Sequence, residues 1–451
     1  MLPALFTSPA AAEATSPSAW LRAMVEVEVA LAIASAQVGL VPHEAADALR
    51  RALDGDQFDL DADRVAREAV ATGTPVVPLL RQLREQLPDP AGAYLHTGAT
   101  SQDIVDTATM LVVGRAADAL LADLAAVAGE CARLAAEHRS TVMAGRTLGQ
   151  QALPTTFGRT VAGWLVGVTD AAAALDRLRH ERLAVQLGGA VGTNAALDGH
   201  GTEIADRMAA RLALARPVLP WHTERTRVAE VACAYGVLSG VLGKIALDLR
   251  LLAQTEVGEV AERDEPGHGA SSTMPHKRNP VRAVLASAAV EGVAGYVSTM
   301  LSTMRQEYER AGGAWQAEWE ALAGLLRHVA AAAWHVREAL GGLRVDAQRM
   351  LANVQATGGL LMAERVSIAL ARRAGRTVAG TVIEQACRDA VAERRPLLDV
   401  LLGNASVTEH FEREELRTLL DPAAYLGASH EQIDAALAHH AGRDWWKRPT
   451  G

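Results

Sequence analysis

Residues 268–280, His-Gly-Ala-Ser-Ser-Thr-Met-Pro-His-Lys-Arg-Asn-Pro, are the most chemically eventful stretch of the chain. Ser271 supplies a hydroxyl, Lys277 an ammonium and Asn279 an amide donor. A cation beside an amide suits a carboxylate whose negative charge grows as the neighbouring carbon loses or gains a proton. A serine near that cation and near backbone N–H groups has its pKa lowered and can move the proton. Two prolines, Pro275 and Pro280, keep the stretch out of helix and strand, so it reads as a loop.

Familiar alternatives fail on the same residues. A hydrolase elbow needs Gly-x-Ser-x-Gly after a strand, and Gly269-Ala270-Ser271-Ser272-Thr273 lacks the second glycine. Gly267-His268-Gly269 begins a dinucleotide loop but has no third glycine, and the chain contains neither a phosphate loop nor an HExxH zinc pair.

Three further polar islands punctuate apolar sequence: residues 96–103 (HTGATSQD), 145–156 (GRTLGQQALPTT) and 220–227 (PWHTERTR). A helix start offers unpaired N–H groups and a partial positive charge to an anion, so such islands suit anionic substrates. In the first, His96, Thr100 and Ser101 are candidates; a capping box of Thr100 and Asp103 is the plainer alternative, though it leaves His96 and Gly98 unexplained. In the third, His222, Arg225 and Arg227 sit where the helix dipole favours acids, a conflict that a bound carboxylate resolves.

Long helices must position these islands. No proline occurs between Val105 and Leu153, Thr155 and Arg216, Trp221 and Glu265, or Val281 and Arg395. Val228, Val231, Tyr235, Leu238, Leu242, Ile245, Leu249 and Leu252 form one stripe at steps of three and four, as do Leu120, Leu124, Val127, Cys131 and Leu134. Forty helical residues span about 60 Å. Helices of that length pack as a bundle, shared between subunits. The expected fold is all-α, without strands, divided into a helical domain over 1–104, a long-helix bundle over 105–345 and a helical domain over 346–451.

Composition narrows the function. The net charge of −9 disfavours nucleic acid and anionic membranes, so an anionic substrate needs a local cluster of cations. Apolar runs are read as too interrupted for a membrane span. The N-terminus lacks the pattern of a secretion signal, and Cys131, Cys233 and Cys387 are too dispersed for a disulfide framework or zinc site. A soluble cytoplasmic protein is expected.

Gly269-Ala-Ser-Ser-Thr-Met-Pro-His-Lys-Arg-Asn-Pro280 resembles the GSSxMPxKxNP signature of the fumarase/aspartase superfamily, with Ala270 where many members carry glycine. Residues 96–103 and 145–156 are similar to that superfamily's other two active-site regions, in the same order. The resemblance implies a three-domain helical subunit, a homotetramer with active sites built from three subunits, no cofactor, and addition or elimination beside a carboxylate. It implies that Ser271 transfers the proton while Lys277 and Asn279 hold the carboxylate. Thr147, Gln150 and Arg310 join His96, Thr100, Ser101, His222, Arg225 and Arg227 as expected substrate contacts.

Fumarases, argininosuccinate lyases and adenylosuccinate lyases carry Thr-His in the second region, and this chain has Thr147-Leu148. A poor leaving group needs a general acid there, whereas a carboxylate, with a pKa near 4, departs or attacks as the anion. Leu148 therefore favours a small tricarboxylate substrate whose own carboxylate adds to a neighbouring C=C bond. A C–N lyase acting on a succinyl or nitrosuccinate-like compound, and a catalytically silent structural tetramer, stand as alternatives.

Overall fold

The proline-free intervals become helices somewhat shorter than the intervals themselves. A computed structural model describes residues 5–55, 58–88, 90–263, 269, 274 and 277–445. Its principal helices are α1 (Pro17–Ala36), α2 (Ser101–Glu137), α3 (Phe157–Glu181), α4 (Thr226–Leu252), α5 (Val281–Glu291), α6 (Ala314–Gly341), α7 (Ala347–Gln355) and α8 (Ser429–Ala441). At 27 residues α4 is about 40 Å long, shorter than the forty-residue reading. α1 starts where its sequence says it should: the Ser16 hydroxyl accepts from the Ala19 N–H, and Pro17 needs no partner in the first turn.

Both apolar stripes face inward. Every residue from Val228 to Leu252 in the α4 stripe is buried, as is every residue of the α2 stripe from Leu120 to Leu134. Burial of each large aliphatic side chain contributes roughly 1.5–3 kcal/mol. α2 packs on α1, α3 and α6, α4 packs on α3, α5 and α6, and α8 returns to lie on α3. Among the described residues the buried apolar side chains form two clusters, a large one with members on both sides of residues 104 and 345, and a smaller one between Val366 and Leu416. Ile433, Ala436 and Trp445 pack in the larger cluster.

One expectation is corrected. The 145–156 island is not a loop: β1 (Val142–Thr147) and β2 (Gln150–Thr156) form an antiparallel hairpin in which Thr147 pairs with Gln150. Its two-residue turn, Leu148 and Gly149, has φ values of 52° and 77°, the positive pair that matches the twist of a tight hairpin. Alternation is too short for the pattern to announce itself in sequence. By length and mean hydropathy Thr226–Leu252 and Val281–Ser302 would reach across a membrane, but charged residues interrupt both, as the sequence reading has it.

Part of that apolar surface remains uncovered in one chain. On α4, Cys233, Val237, Leu247 and Leu251 are exposed along a second stripe opposite the buried one. Small residues line the neighbouring cavity of about 630 Å³ between α3 and α4, which includes Gly163, Gly167 and Gly240.

Candidate active site

The first residues of α2 carry the best-organised polar cluster. Asp103 accepts from the Thr100 N–H at 2.9 Å, as the capping reading requires, and from the N–H groups of Gly188 and Gly189, both at 2.9 Å. His222 Nε2 lies 2.7 Å from its Oδ1. This packing is tight. A Cβ on Gly188 would stand 2.8 Å from the His222 ring, and one on Gly98, where φ is 72°, would stand 2.2 Å from Leu197. The capping box alone leaves Gly98 unexplained; steric closeness and positive φ explain it.

One turn along α2, Asp106 meets Arg225. The guanidinium donates to Asp106 at 2.8 and 3.1 Å, to Glu318 at 3.0 and 2.6 Å, and to the Trp221 carbonyl at 3.5 Å. Trp315 Nε1 donates to Asp106 at 3.0 Å, and Gln306 Nε2 to Glu318 at 2.8 Å. Burial works against the charge on Arg225, but Asp106 and Glu318 outweigh it and hold the guanidinium more firmly protonated than a free arginine. Burial pushes the Glu318 carboxyl above the usual range, with Arg225 opposing the shift.

His222, Arg225 and Arg227, expected as substrate contacts, turn inward in the single chain. His222 and Arg225 are each 3% exposed, and the donors of Arg225 are occupied by internal acceptors. The helix-dipole conflict is resolved by buried carboxylates of the protein. Arg227 also turns inward, donating to the Arg182 carbonyl at 2.7 Å with its guanidinium 5.1 Å from the centre of the Trp221 ring.

Other candidates remain at the surface of this cluster. His96 adopts φ 65°; its Nδ1 lies 2.7 Å from Glu28 Oε1 and its N–H donates to Glu28 Oε2 at 2.9 Å. Glu28 fixes the ring and leaves Nε2 as the atom available to a ligand. Thr100 Oγ1 accepts from the guanidinium of Arg310, and Ser101 is half-buried as the first residue of α2. Thus His96, Thr100, Ser101 and Arg310 gather around one helix start.

Thr147 and Gln150 lie elsewhere, exposed at the hairpin tip beside a fully exposed Leu148. The hairpin is anchored by Arg146, which donates to the buried Glu259 at 2.9 and 2.6 Å, and Glu259 also accepts from Asn353 of α7 at 2.8 Å. Lys277 is exposed, and Asn279 ties its N–H at 3.0 Å and its Nδ2 at 3.2 Å to the Gly269 carbonyl. Ser271 lies outside the described residues. Among the described residues, no hydrogen bond or ion pair joins the helix-start group, the hairpin tip and the Lys277–Asn279 group to one another. No group of three or more His, Cys, Asp or Glu side chains among them is placed to hold a metal ion.

Sequence reasoning missed Glu28, Asp106, Glu259 and Glu318. Asp103 and Asp106 sit three apart in a stretch of α2 with no other charged residue before Arg115, a spacing that puts two carboxylates on one buried face and that was legible. Glu28 and Glu318 each have a second glutamate two residues away, Glu26 and Glu320, so the sequence does not mark which one faces inward, and their partners lie 68 and 93 residues away.

Residues 6–297 match the family described as lyase, and residues 359–436 match the adenylosuccinate lyase C-terminus. The chain belongs to the lyase family of the fumarase/aspartase superfamily. Within this lyase family it is 45% identical to the nitrosuccinate lyase of Streptomyces davaonensis, covering 94% of this chain and 91% of that protein. It is also 45% identical to the 3-carboxy-cis,cis-muconate cycloisomerase of Pseudomonas aeruginosa, covering 93% and 92% respectively. The crystal structure of the 3-carboxy-cis,cis-muconate lactonizing enzyme from Pseudomonas putida superposes with a TM-score of 0.92 at 40% identity, covering 98% of this chain and 99% of that one.

Proposed function

We propose that this lyase-family protein is a cycloisomerase that converts 3-carboxy-cis,cis-muconate to 4-carboxymuconolactone, the ring-closing step of protocatechuate breakdown in the β-ketoadipate pathway. Leu148 at the hairpin apex, a position from which no proton can be given to a leaving group, restricts the reaction to one in which an anion attacks or departs. Relatives named for this reaction, similar over nearly the whole chain, support the reading.

In the proposed reaction one substrate carboxylate oxygen attacks the neighbouring conjugated carbon. A C–O bond forms, the π electrons move toward the adjoining carboxylate, and the resulting enolate-like charge rests against Lys277 and Asn279. Ser271 then gives its proton to the α carbon and regains one from water, so one proton is taken up per turnover. Holding the substrate in its closing conformation supplies an entropic advantage, a role this reading assigns to His96, Thr100, Ser101 and Arg310. His222, Arg225 and Arg227 support these groups from behind.

The protein is read as a soluble cytoplasmic homotetramer. Exposed apolar residues on α4 give neighbouring subunits a surface to cover, and the separation of the three groups within one chain suits active sites assembled from several chains.

A second reading has one specific observation behind it: the nitrosuccinate lyase of Streptomyces davaonensis is as similar as the cycloisomerase of Pseudomonas aeruginosa. Nitrite also departs as an anion, so Leu148 suits that elimination equally. Both substrates should be supplied to the purified enzyme, following loss of muconate diene absorbance in one case and nitrite release in the other. The proposal expects the first signal to dominate and a folded Ser271→Ala protein to lose it; nitrite release alone would establish the second reading.

A further inference from the structure

We infer that Arg225 is a positioning residue for the reaction, a buried clamp that holds the start of α2 and the 303–313 segment at the spacing where Arg310 meets Thr100. The inference rests on the reading that Thr100 and Arg310 face the substrate.

Three pieces of chain converge on this one side chain. Asp106 belongs to α2, two turns beyond Thr100, and receives two of its bonds. Glu318 belongs to the first turns of α6, receives two more, and in turn accepts from Gln306 in the segment that carries Arg310. Arg225 itself lies in the 220–227 island as the residue just before α4, packed with its guanidinium 4.9 Å from the centre of the Trp221 ring. Trp315 closes the same circuit by donating to Asp106.

Stability alone gives a poor account of this arrangement. A buried ion pair recovers little more than the cost of removing its charges from water, and here two carboxylates share one guanidinium. An apolar trio would fill the same space without leaving surplus negative charge. What the guanidinium provides is geometry: its planar fork fixes the direction and distance of two carboxylates on different helices at once. Tyr308, in the same segment as Gln306 and Arg310, has φ 46° and a fully solvated ring, so the clamp holds a segment with few anchors of its own.

The decisive variant is Arg225→Lys, which keeps the charge but cannot bridge both carboxylates with paired bonds. Gln306→Ala serves as a second variant, because it cuts the link from Glu318 to the segment while leaving the buried ions intact. For folded Arg225→Lys, KM for 3-carboxymuconate is expected to rise roughly tenfold while kcat stays within about threefold, since binding contacts and not the proton transfer are displaced. Without substrate, trypsin should cut after Arg305 or Arg310 about fivefold faster than in the native enzyme, a local loosening with the global fold kept. Gln306→Ala should move both readings in the same direction by less.

Wild-type KM together with wild-type cleavage in either folded variant overturns the clamp, even if thermal stability has dropped. If Arg225→Lys fails to fold, Gln306→Ala decides by the same two readings. If the native enzyme ignores carboxymuconate yet cleavage accelerates as expected, the functional reading has failed and the clamp stands.

Discussion

His96 Nδ1 lies 2.7 Å from Oε1 of Glu28, and Oε2 of that carboxylate accepts the N–H of His96 at 2.9 Å. One buried acid thereby fixes both the ring and the backbone of a residue held at positive φ. Glu28→Gln keeps the shape but cannot accept both bonds through equivalent oxygens. We expect kcat/KM to fall on the order of 100-fold, the usual consequence of a misplaced contact group. Steady-state kinetics should place Glu28→Gln, His96→Asn and the double variant at similar values, because residues acting as a unit are not additive. Additive losses would separate the two roles.

Leu148 is fully exposed in one chain and sits in the left-handed region at φ 52°. Leu148→Gly relieves that backbone strain and loosens the unfolded chain, so stability should change by less than about 1 kcal/mol. Activity should fall at least about tenfold if the leucine shields a site formed with a neighbouring subunit. Chemical denaturation and kinetics on the same preparation check both halves; unchanged kinetics would remove Leu148 from the site.

The pH dependence of stability has a defined direction. His335 is buried, its Nδ1 accepting from Arg282 and its Nε2 facing the Leu5 carbonyl, each at 3.4 Å. Burial lowers its pKa and Arg282 adds to the shift, against the Leu5 carbonyl and the carboxylates of Glu262 and Glu338. A group neutral when folded gains a proton more readily when unfolded, so its contribution is complete above pH about 6.5 and declines as pH falls below that value. His138 and His440 are shifted the same way by burial. Urea midpoints between pH about 7 and 5 should fall, and His335→Gln should flatten that slope by at most about 1.4 kcal/mol per pH unit.

Much of the fold was legible because helical periodicity is local. The α4 stripe from Val228 to Leu252 was readable, and each of its residues is buried. The hairpin was not, since Leu148-Gly149 is a turn whose geometry depends on two φ values that a leucine gives no sign of adopting. The helix start with Thr100 was legible through its capping pattern, whereas the inward turn of Arg225 depends on Glu318, 93 residues away, and no local pattern reports such a pairing. Isolated charged residues look alike in sequence whether they face water or each other; only their partners distinguish them.

The central claim is that a substrate carboxylate adds to its own double bond and that the protein then delivers one proton to carbon. Turnover of 3-carboxy-cis,cis-muconate in D2O, followed by proton and carbon NMR, tests it most directly. The account expects 4-carboxymuconolactone carrying one deuterium on the carbon beside the carboxylate. Recovery of unreacted muconate, from an enzyme that releases nitrite and fumarate from nitrosuccinate, would contradict it.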